Sequence, residues 1–182
     1  AVSVNTPVKA SDLQDLSLEE VIEHRSFHDV YVWAQKHPLS VNHELTWEDN
    51  RGVPRTGNLL QWAIARGHMP LIQYLQQHGF AFSESQSYWD SALALSARSG
   101  DIETFQYVLQ QGADPFVDQR ILTLVLGDLV YGGNPDMLAF FLHEEASQSP
   151  FRQAMLTRVL SERVEPNDLN LNGNTALMSA CF

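Results

Sequence analysis

Asn58-Leu-Leu-Gln-Trp-Ala-Ile-Ala-Arg-Gly-His-Met-Pro-Leu-Ile-Gln-Tyr-Leu-Gln-Gln-His-Gly79 and Ser91-Ala-Leu-Ala-Leu-Ser-Ala-Arg-Ser-Gly-Asp-Ile-Glu-Thr-Phe-Gln-Tyr-Val-Leu-Gln-Gln-Gly112 are two copies of one pattern. Gly67 pairs with Gly100 and Gly79 with Gly112, each at an offset of 33 residues. A third copy stays in step: Gly133 lies a further 33 residues on, and Met137-Leu-Ala-Phe-Phe-Leu142 repeats Leu71-Ile-Gln-Tyr-Leu75. Each copy predicts two short antiparallel helices. Gly67, Gly100 and Gly133 can turn left-handed and stop the first helix. Pro70 and Pro135 fall in the first turn of the second, where a missing N–H costs little. The second helix carries apolar residues at helical spacing, Leu71, Ile72 and Leu75, then Ile102, Phe105, Val108 and Leu109. Gly79 and Gly112 end it. One such pair cannot bury its own apolar face, so neighbours must stack.

These residues resemble the ankyrin-repeat family. Its turn and helix start appear as Asn58-Leu-Leu-Gln-Trp-Ala63 and Ser91-Ala-Leu-Ala-Leu-Ser96, its Gly-His step as Gly67-His68, and its Gly-Ala-Asp ending as Gly112-Ala-Asp114. Thr175, Ala176 and Leu177 stand in the turn of a further start. The resemblance covers about residues 12 to 182. It implies an all-α fold, a solenoid of stacked antiparallel helix pairs joined by hairpin loops, with the whole of 1–182 as one domain. The approximate units are 12–42, 53–85, 86–118 and 119–149, then an irregular helix 150–164 and a partial unit 168–182.

Some stretches depart from the repeat. Leu16 to Arg25 and Phe27 to Lys36 read as the helices of a divergent first unit. His43 to Thr56 is too long for a standard hairpin and reads as an enlarged loop. Ser149-Pro150 marks a helix start, with Phe151, Ala154, Met155, Val159 and Leu160 on one side. Which helices pair between residues 124 and 164 stays open.

A net charge of −11 argues against nucleic acid, whose phosphates need a basic surface. No apolar run reaches the roughly 18 residues of a membrane span. The lone Cys181 excludes an internal disulfide framework and a multi-cysteine zinc site. A cytoplasmic location is expected, with export after loss of a leader before Ala1 as the alternative. His24 and His28 are divided by a helix boundary at Arg25 to Ser26, and His43-Glu44 lacks the second histidine of a zinc protease motif. His68 matches the family's capping histidine. There is no Gly-x-Ser-x-Gly and no phosphate loop. No metal, no cofactor and no catalytic activity are expected.

Trp33 and Trp62 lie in apolar helical pattern and read as core. Trp47 and Trp89 lie in loops and read as exposed anchors. In the ankyrin family partners meet hairpin tips and the inner face of each first helix. The resemblance therefore implies a partner surface including Trp47, Arg55, Arg66, Tyr88, Trp89, Asp90, Arg98, Arg120 and Tyr131. Between residues 51 and 120 every positive side chain is an arginine (Arg51, Arg55, Arg66, Arg98 and Arg120), and all fall in hairpins or first helices. An arginine-lined concave face follows, rich in the residue types of interface hot spots. The expected function is to bind one specific protein through that face, as scaffold, adaptor or inhibitor, the bacterial immunity type included. The alternative is a non-catalytic targeting region of a larger multidomain protein or effector. A monomer is expected. Repeat geometry cannot name the partner.

Overall fold

A computed structural model of the chain describes residues 10–82 and 91–162. They are mostly helical, with one two-stranded antiparallel sheet. The partial unit expected at 168–182, with Cys181, lies outside the described residues.

Helices α1 (Leu18–His24) and α2 (Phe27–Ala34) form the first pair. Each begins with a reciprocal capping box, Ser17 with Glu20 and Ser26 with Asp29, which satisfies N–H groups that would otherwise lack partners. The boundary at Arg25 to Ser26 therefore lies where the sequence places it. Trp33 is buried, and its indole N–H donates to the Leu16 carbonyl.

Three further pairs follow: α3 (Leu59–Arg66) with α4 (Met69–Gln77), α5 (Ala92–Ser99) with α6 (Ile102–Gln110), and α7 (Gln119–Gly132) with α8 (Pro135–Phe140). Helix α8 runs on into a π-helical turn, Phe141–Glu145. Gly67, Gly100 and Gly133 end the first helices at φ of 69°, 73° and 70°, the left-handed region that a side chain disfavours. His68 caps α4, its Nδ1 accepting from the Leu71 N–H.

The first helices pack side by side, α3 on α5 and α5 on α7. At their C-terminal ends the backbones nearly touch: a Cβ on Gly132 would lie 2.8 Å from the Ala97 carbonyl oxygen. On the second helices Tyr74, Tyr107 and Phe140 recur every 33 residues. The Tyr74 hydroxyl donates to the Ala34 carbonyl and the Tyr107 hydroxyl to the Gln76 carboxamide, so each ties its helix to the preceding one. The core runs through Leu60, Trp62, Ala63, Leu75, Leu93, Phe105, Val108 and Phe141, all buried. Leu109, expected beside them, is only partly buried.

Two expectations are corrected. The stretch 43–56 is not an enlarged loop. Strands β1 (Leu45–Glu48) and β2 (Pro54–Gly57) pair with Trp47 opposite Arg55. The Asp49 N–H donates to the Val53 carbonyl, and Gly52 at φ 75° completes a three-residue turn. The apolar side of the last helix, α9 (Pro150–Glu162), also differs from the expected stripe. Its start holds, with Ser149 Oγ accepting from the Arg152 N–H. However, α9 meets α7 through Leu156 and Val159, leaving Phe151 66 % and Leu160 45 % exposed. Arg152 sets this rotation, bonded to Glu145 at 3.1 Å and stacked over Phe116. The open pairing between 124 and 164 resolves as α7 with α8, and α9 against α7. No described helix is long and apolar enough to cross a membrane.

Candidate functional site

The C-terminal ends of α3, α5 and α7 present Arg66, Arg98 and Tyr131 one after another. Sequence reading makes this row an exposed partner surface. The structure lays the β1–β2 hairpin across it. Alternation along β1 turns Leu45 and Trp47 into the core and Thr46 and Glu48 outward. Trp47 is thus 6 % exposed, not a free anchor. Its burial against α3 seats the hairpin and carries Asp49 and Arg51 towards α7.

Asp49 is the hub of that contact. Its Oδ1 accepts from the backbone N–H groups of Arg51 and Val53, as the turn geometry demands. Its Oδ2 accepts two bonds from the Arg55 guanidinium, at 3.1 and 2.9 Å, and one from the Tyr131 hydroxyl at 2.9 Å. Burial pushes the Asp49 carboxyl up, but these hydrogen bonds outweigh it and hold the group below its ordinary value. For Tyr131, burial and the bond to Asp49 both push the phenol up. Arg51 closes the contact from above. Its guanidinium lies 4.2 Å from the centre of the Tyr131 ring and donates to the Tyr131 carbonyl.

The remaining arginines are engaged as well. Arg66 donates to the Glu48 carbonyl at 2.8 Å. Arg98, expected to be exposed, has a side chain only 9 % exposed and lies 3.7 Å from the buried carboxylate of Asp128. The ion pair explains the correction: a guanidinium this enclosed must meet an opposite charge. Arg120 is exposed at the start of α7. Tyr88, Trp89 and Asp90 lie outside the described residues.

Two decisive residues escaped the sequence reading, and each left a signal. Leu-Thr-Trp-Glu alternates apolar and polar before an Asp-Asn-Arg-Gly turn, which is a hairpin pattern. Asp128 interrupts the apolar run Leu122 to Val130, and a lone carboxylate there implies a buried partner. Among the described residues no group of three or more histidine, cysteine or carboxylate side chains could hold a metal ion. No protein-family model matches the chain, and no curated protein matches it.

Proposed function

We propose that the chain is a repeat protein of the ankyrin kind whose role is to hold another protein. The observation that carries this reading is the set of left-handed glycines, Gly67, Gly100 and Gly133, at 33-residue intervals, each closing the first helix of a pair. Helix pairs stacked in this way offer long rigid faces, and a rigid face binds without an ordering cost.

The hairpin changes where the partner sits. With Trp47 and Arg98 enclosed, contact falls on what the hairpin and the adjoining loop leave outward. These are Arg51 over the Tyr131 ring, Val53 at 40 % exposure, Val117 and Arg120. Arginine held flat on an aromatic ring is a pre-organised contact of hot-spot type. The test starts with recovery of a partner from source cells on the immobilised chain. That partner is then titrated against an Arg51→Glu/Arg120→Glu variant. A loss of roughly 2 kcal/mol or more per hot-spot residue is expected. Native affinity in the folded double variant would overturn the assignment of the face.

A further inference from the structure

We propose that the cavity under the β1–β2 hairpin binds one small monatomic anion of chloride size. The cavity has a volume of about 30 Å³ and is lined by Trp47, Asp49, Arg55, Arg66, Arg98 and Tyr131 among others. That is room for a single water-sized particle.

Two buried groups on its wall lack hydrogen-bond partners, the Trp47 indole N–H and the Arg66 Nε–H. Both can only donate. Buried donors without acceptors are costly, so the site calls for an acceptor. A water molecule would accept from both but would bring two protons of its own. The acceptors around it are already engaged. Asp49 receives bonds at both oxygens. The Glu48 carbonyl receives Arg66, and Ser99 Oγ receives the Asp101 N–H. An anion brings no protons. Charge favours it too: three guanidiniums, Arg55, Arg66 and Arg98, face the carboxylates of Asp49 and Asp128, leaving one positive charge in excess. A halide balances that charge and meets both donors at once.

Thermal unfolding at fixed ionic strength tests this, with sodium chloride exchanged for sodium gluconate, whose anion is too bulky for the cavity. Chloride should raise the midpoint. At ten times its dissociation constant the folding equilibrium shifts about elevenfold, roughly 1.4 kcal/mol. For a domain of this size that is about 3–6 °C. Trp47→Phe keeps an aromatic ring in the core and removes the N–H, so most of the chloride increment should vanish. Equal increments in the native chain and this variant would overturn the proposal, as would no increment at all. A crystal grown in bromide gives an answer without any variant. An anomalous peak within hydrogen-bond reach of Trp47 Nε1 and Arg66 Nε is expected, and water density there overturns the anion.

Discussion

The Tyr131 hydroxyl donates to the Asp49 carboxylate across 2.9 Å, joining residues 82 positions apart. One end of that bond sits on the turn of a hairpin and the other near the end of α7, two helix pairs further along the chain. Tyr131→Phe isolates its contribution. The ring and its contact with Arg51 remain, and Asp49 keeps Arg55. A hydrogen bond to a charged, partly buried group contributes about 1–2 kcal/mol net. Urea unfolding should show a loss of that size, and an unchanged midpoint would mean that the hairpin is not latched to α7.

The same latch should respond to acid. The Asp49 carboxyl lies below its ordinary value of 3.8 when folded. Between the folded and unfolded values the unfolded chain therefore binds more protons, so stability rises with pH there. The contribution is fully present above pH 3.8 and is lost as pH falls through the folded value. Unfolding midpoints from pH 6 to pH 2 should drop more steeply for the native chain than for Asp49→Asn.

His68 predicts a second, milder window. Burial, and then the neighbouring His28, push its imidazole below the ordinary 6.5. Its neutral ring accepts the Leu71 N–H and so caps α4. A proton on Nδ1 would turn that acceptor into a donor. The folded value is depressed, so this stability is present above pH 6.5 and falls as the pH drops through the folded value. His68→Asn retains a capping acceptor without the titration. Its midpoint should change less between pH 7 and pH 5 than that of the native chain.

Two glycines of α7 should respond in opposite directions to the same substitution. A Cβ on Gly132 would meet the carbonyl oxygens of Ala97 at 2.8 Å and Arg98 at 3.1 Å, and backbone cannot step aside. Gly132→Ala should cost about 1–3 kcal/mol, as overpacking does. A Cβ on Gly127 meets nothing within 4 Å. Gly127→Ala should therefore stabilise the helix by roughly 0.5–1 kcal/mol. Matched denaturant curves decide, and two changes of the same sign would refute the close approach of α5 and α7.

Leu75 and Leu109 separate full from partial burial. Leu75 is wholly enclosed, and its truncation to Ala should cost about 2–5 kcal/mol. Leu109 is only partly buried, and Leu109→Ala should cost distinctly less. Equal losses in calorimetry would show that Leu109 is the core position its helical spacing suggests.

What the sequence determined by itself is the local structure and its repetition. Ser17, Ser26 and Asn58 start helices through atoms three residues away, and Gly67, Gly100 and Gly133 stop them through their own φ. Such causes act within one turn of chain, so they can be read without knowing what lies beside them. The 33-residue period then places α3, α5 and α7 in register, which puts Arg66, Arg98 and Tyr131 in a row. Whether that row is open was decided only by the tertiary structure. It turns on where the hairpin lies, and that depends on Trp47 finding a place in the core and on Asp49 finding the Tyr131 hydroxyl. It turns equally on Arg98 meeting Asp128, whose side chains come from adjacent helices. Hydrogen bonds and ion pairs between distant segments have no period and no fixed spacing. An arginine that binds a partner and one that binds its own chain therefore look alike until the neighbour across the groove is known.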